Sequence, residues 1–135
     1  MFQRYNGDPN IQMYKKKVST TFTIGDAVVI DANGFLDKAV TATTVIQGII
    51  MQTVLATDAN YAVAEFIPVD VPRRGDQFLA DVTTGTPAQT HVGETHDLVG
   101  SGGINLTTVL TNIVKVEKIL GDATKAIISF PNTAG

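Results

Sequence analysis

The chain is 135 residues long, 44% apolar and free of cysteine, with a net charge of −3 at neutral pH. That length suits one domain with a real core, and the lack of thiols excludes a disulfide frame or a thiolate-held zinc. The acidic balance gives no long-range attraction to nucleic acid or anionic lipid, and the 17% of charged residues is low for a soluble protein.

The first twenty residues, MFQRYNGDPNIQMYKKKVST, have no apolar leader segment and no consistent hydrophobic period. They predict an extended arm (1–20) outside the core that orders on a partner, ahead of a single β-rich domain over 21–135. Its rings and cations, Phe2, Tyr5, Tyr14 and Lys15 to Lys17, suit docking on an acidic protein surface; a nucleic-acid arm is the competing use of the same residues.

Beyond the arm, Gly–acid pairs punctuate the chain: Gly25-Asp26, Gly75-Asp76, Gly93-Glu94 and Gly121-Asp122. Glycine supplies the backbone freedom of a turn, and the adjacent carboxylate accepts local N–H bonds. Two pairs open a near-repeat, GDAVVIDANG (25–34) and GDQFLADVTTG (75–85), which shared turn-strand-turn chemistry explains better than duplication.

Between the turns the runs read as strands. Val28 to Ile30 precedes Asn33-Gly34, a hairpin signal because both residues tolerate positive φ, and Phe35 to Val40 returns. Val45 to Leu55 is too short and polar to span a bilayer, and Gly48 inside it marks a bulge or a close backbone approach. Tyr61 to Val71 alternates in its second half, where Pro68 and Pro72 place the strand at a sheet edge or make it leave the sheet. Strands over 78–82, 113–120 and 126–130 complete the set, with a short helix at 105–111 as the alternative in the ambiguous stretch. The expected fold is all-β: a compact small β-barrel or sandwich with an extended N-terminal arm.

Chemistry-bearing residues gather in HVGETHDLVGSGGIN (91–105), which holds both histidines with Glu94 and Asp97. On one strand His91 and His96 would face opposite sides, and no third ligand stands at a recognisable zinc spacing. A hairpin with solvent-exposed imidazoles is expected, with no metal and no cofactor. Arg74-Gly75-Asp76 matches an adhesion tripeptide but belongs to the turn series, and Arg73 and Arg74 are candidates to pair with an acidic partner. No phosphate-binding loop, nucleophile elbow or zinc-protease helix is present, so an enzyme is not expected.

The order of these motifs carries a resemblance. FTIGDAVVIDANGFLDKAVTATTVIQGII, RGDQFLADVTTG, VGETHDLVGSGGIN, IVKVEKIL and AIISF, together spanning 22–130, resemble the small β-rich decoration, or cement, proteins of tailed-bacteriophage heads. The resemblance implies a non-enzymatic virion protein, made in the host cytoplasm, that binds the outer capsid surface and stabilises the major capsid protein lattice. It implies a homo-oligomer, trimer favoured, with no nucleic-acid or membrane partner. Phe2, Arg4, Tyr5, Tyr14, Lys15, Lys16 and Lys17 become its expected capsid contacts, and Gly25, Asp26, Asn33, Gly34, Gly75, Asp76, Gly93 and Gly121 its structural turns. A β-barrel adhesion or carbohydrate-binding module on a virion or cell surface is the alternative.

Overall fold

A computed structural model describes residues 1–132. In chain order its strands are β1 (Phe2–Asn6), β2 (Ile11–Lys15), β3 (Ala27–Ile30), β4 (Leu36–Lys38), β5 (Gly48–Ile50), β6 (Phe66–Asp70), β7 (Gln77–Thr84), β8 (Thr95–Val99), β9 (Gly103–Asn105), β10 (Val114–Lys118) and β11 (Lys125–Ser129). The fold is all-β. One sheet runs β1-β7-β11-β10-β8-β9, and a parallel pairing of β7 with β9 closes β7, β11, β10, β8 and β9 into a five-stranded barrel, with β1 as the extra strand on β7. The other sheet runs β2-β6-β5-β3-β4, and a parallel bridge between Lys16 and Leu36 draws its two outer strands together. Among the described residues no helix is long and apolar enough to cross a membrane.

Alternation along the strands separates two apolar cores. Phe2, Phe78, Leu98, Ile104, Val114, Val116 and Ile128 fill the barrel, joined by Ala27, Ile46 and Ile49 from the second sheet. Val28, Leu36, Ile50, Ile67 and Val69 turn to the other side of that sheet and pack with Phe22 and Val54. The second sheet is therefore covered on both faces over β3 and β5.

The Gly-Asp turns at 25–26 and 75–76 form as expected and form alike. Asp26 N–H donates to Thr23 O at 2.9 Å while the Asp26 carboxylate accepts from Thr23 N–H at 3.0 Å. Asp76 and Arg73 repeat both bonds, at 3.0 and 2.8 Å. Gly25 and Gly75, at φ +93° and +90°, occupy the left-handed position that such turns require; Gly34, Gly93 and Gly121 also have positive φ. Gly48 marks a close approach, since a Cβ there would lie 2.5 Å from Asp70 O.

Four expectations need correction. Residues 1–20 are not an arm outside the core: β1 pairs with β7, β2 pairs with β6, and Phe2 is buried between the two. The strand carrying Pro68 is not an edge strand, because β6 lies between β2 and β5, although it leaves the sheet after Asp70, ahead of Pro72. It tolerates proline because the missing N–H would face Met51, just past the end of β5, while Pro68 O still accepts from Met51 N–H at 3.0 Å. The Asn33-Gly34 hairpin forms, with β3 paired to β4, but only Gly34 takes positive φ. There Asp31 fixes a tight turn with a bulge by accepting from Asn33 N–H at 2.9 Å and Phe35 N–H at 3.0 Å. The histidine segment does form a hairpin, β8 with β9, but His96 in it is buried rather than solvent-exposed; the strand reading of 113–120 holds as β10, and residues 105–111 hold no helix.

Candidate functional site

The histidine segment is tied into the fold. His91, Val92, Gly93 and Glu94 make a tight turn, and the His91 and His96 rings meet edge to face with centroids 5.6 Å apart. His96 is buried rather than solvent-exposed, with Nδ1 2.9 Å from Thr108 O and Nε2 3.1 Å from the Glu94 carboxylate. His91 Nδ1 accepts from Ala88 N–H at 3.0 Å. The ring nitrogens that hold these bonds are taken up by the fold, and among the described residues no group of three or more His, Asp or Glu is placed to hold a metal ion.

Asp97, next along β8, organises the loop that follows β9. Its buried carboxylate accepts from the Thr108 hydroxyl, Leu110 N–H (3.0 Å), Thr111 N–H (2.6 Å) and the Thr111 hydroxyl (2.8 Å). Burial pushes the carboxyl upward, but the Thr108, Thr111 and Leu110 donors outweigh it and hold Asp97 well below the usual carboxylate range. Because the folded-state value is depressed, this contribution to stability is present above about pH 4 and is lost as pH falls below that. Asp97→Asn, which leaves donors unmatched, is expected to cost about 2–3 kcal/mol in urea unfolding at pH 7. The gap to wild type should narrow by pH 3; an equal gap at both values would show that Asp97 does not act as a carboxylate here.

The seven residues expected to contact a capsid separate into different roles. Phe2 is buried, its ring centroid 5.5 Å from that of Phe130, and offers no surface. Arg4 is an internal clamp: Nε and Nη2 donate to the two carboxylate oxygens of buried Asp70 at 2.8 and 2.6 Å, and Nη1 lies 3.0 Å from Asp76. Its guanidinium also sits 4.9 Å from the Phe78 ring centroid. The Asp70 bonds raise its pKa further, against burial and with help from Asp76. Lys16 is fully buried, its ammonium donating to Tyr61 O at 2.9 Å, and burial lowers its pKa while Glu65 opposes that. Tyr14 is half-buried and accepts from Gln47 Nε2 at 2.6 Å. Lys17 pairs at the surface with Asp37, 2.9 Å away. Tyr5 and Lys15 are exposed, with the Lys15 ammonium 5.6 Å from the Phe66 ring centroid. Asp76, engaged by Arg4 and by Arg73 N–H, is buried, so the Arg-Gly-Asp tripeptide is not presented to a receptor.

Unpartnered surface lies instead on the outer side of β2 and β6. Their register sets Met13 opposite Pro68 and Lys15 opposite Phe66, while Tyr14 and Ile67 turn inward. Met13 is 54% and Phe66 59% exposed; Ile11 beside them and Met51 beyond Pro68 are exposed as well. Continuous with Met51 is an apolar cleft of about 310 Å³ between β1 and β5, lined by Met1, Pro9, Ile24, Ile49 and Phe78, with the Arg4–Asp70 pair on its wall. Sequence reading misses Met13 because residues 1–20 read as an arm without a period, and Phe66 and Met51 because each stands in an apolar run that reads whole as a strand. The spacing of Ile11 and Met13, two residues apart with polar Gln12 between them, is the available signal.

No family model, curated protein or solved structure matches this chain.

Proposed function

We propose that this protein is a structural component of a virion, docking on the outer surface of a tailed-phage capsid and cementing its major capsid protein lattice. The observation that carries a docking role is the exposed apolar face of Met13, Phe66, Met51 and Ile11 on a sheet whose other face packs the second core. The order of turn and strand motifs over 22–130 supports a capsid as the surface docked upon. A rigid body suits this work: anything that binds the assembled shell but not its separated subunits stabilises the shell by mass action, and repeated copies act together. A trimer is the expected assembly, and light scattering on the purified protein checks it.

Co-sedimentation with empty mature heads tests the reading. Burying one large apolar side chain contributes about 1.5–3 kcal/mol, so Met13→Glu with Phe66→Glu should weaken head binding at least about tenfold. Thermal unfolding of the free protein should change little, because both side chains are exposed. Wild-type protein that stays in the supernatant, or a double variant that sediments like wild type, overturns the proposal.

A further inference from the structure

A second surface has a different chemistry. Between the 73–76 turn and the ends of β10 and β11 runs a groove of about 770 Å³, within the range typical of ligand sites. Arg73, Arg74, Lys115, Glu117 and Ser129 give its polar lining, and Pro72, Phe130 and Pro131 its apolar lining. Two of the chain's three arginines are thus exposed in one groove, and neither makes an ion pair among the described residues. Glu117 is already engaged, accepting from the Ser129 hydroxyl at 2.7 Å and lying 4.0 Å from the Lys115 ammonium. The groove therefore carries three cations against one compensated carboxylate, in a chain whose net charge is −3.

The arginines are also held ready. Asp76 closes their turn through two hydrogen bonds to Arg73 and is itself pinned by Arg4, so the backbone that projects both guanidinium groups is fixed before any ligand arrives. A fixed scaffold reduces the ordering cost of binding, and guanidinium forks match carboxylates bidentately.

We propose that this groove binds an acidic peptide segment of a partner protein. Carboxylates of the segment pair with Arg73, Arg74 and Lys115 while its backbone lies along Pro72, Phe130 and Pro131. Nucleic acid fits less well: Glu117 interrupts the cationic wall, and three cations neutralise few phosphates. The groove shares no lining residue with the apolar face or its cleft, this inference does not depend on the capsid reading, and its test uses no heads.

Fluorescence anisotropy with a fluorescein-labelled hexaglutamate peptide, run beside an oligothymidylate of equal charge, tests it. Saturable hexaglutamate binding is expected, weakened about tenfold or more by Arg73→Ala with Arg74→Ala and by a smaller factor by Lys115→Ala. Arg73→Lys with Arg74→Lys should restore only part of it, because an ammonium lacks the planar fork. Lys118→Ala, outside the groove, should bind like wild type. Unfolding curves of the exposed-site variants should overlay that of wild type. Absent saturable binding, tighter binding of the oligothymidylate, or an equal loss in Lys118→Ala each overturns the proposal.

Discussion

Removing residues 1–16 should abolish cooperative folding. The deletion takes away β1, whose Phe2 ring packs on Phe130, which in turn packs on Phe78, with both centroid separations 5.5 Å. Truncating a buried phenylalanine alone costs about 3–5 kcal/mol, against a total stability of about 5–15 kcal/mol for a domain. The same deletion strips β2 from β6, which uncovers Ile67 and Val69, and it removes Lys16, whose bridge to Leu36 draws the second sheet round. Circular dichroism with urea should show no sigmoidal transition, and Phe2→Ala should retain one at a much lower midpoint. A truncated chain that unfolds cooperatively at the wild-type midpoint would mean that β1 and β2 are dispensable. Loss of docking after an N-terminal deletion therefore reports unfolding, which is why the docking test rests on Met13 and Phe66.

Arg4→Ala should be the most damaging single substitution of a charged residue. It leaves Asp70, 2% exposed, without the two hydrogen bonds that compensate its burial, and leaves Asp76 with only backbone donors from its own turn. Breaking a buried pair by removing one partner costs about 3–5 kcal/mol, which for a chain of this size lowers Tm by about 10 °C or more. The second change Asp70→Asn should recover part of the loss, since it removes the stranded charge while its amide oxygen can still accept from Asn10 N–H, now at 3.0 Å. Because the pair raises an already high arginine pKa, the cation persists across the accessible pH range, and the deficit should be the same at pH 6 and pH 9. Differential scanning calorimetry reads both effects; a Tm within about 2 °C of wild type would show that the clamp contributes little.

These two results concern the segment that the sequence misrepresents, and the reason is physical. In β1 the inward positions are Phe2 and Arg4, so the core side of the strand shows one apolar residue and one cation. The cation is satisfied by residues 70 and 76, which no local pattern can supply. In β2 the apolar residues Ile11 and Met13 face out while Tyr14 turns inward, so alternation points to the wrong face. Pro68 misleads in the same way: the ladder bond it forfeits falls just past the end of β5, a fact of pairing rather than composition. His96 and Asp97 look like exposed chemistry until the 106–112 loop folds back on them with Thr108, Leu110 and Thr111.

Local chemistry was enough for the rest. The β-branched runs, the Gly-Asp turns with their reciprocal bonds, the close approach at Gly48 and the all-β class follow from interactions within a few residues, which the amino-acid order states directly. Tertiary structure alone decided the closure of the barrel through β7 and β9, the capture of residues 1–16 by both sheets, and which apolar and basic side chains remained at the surface. Each of those outcomes depends on groups brought together from distant parts of the chain, and burial and ion pairing act on distance in space, whereas sequence records only distance along the backbone.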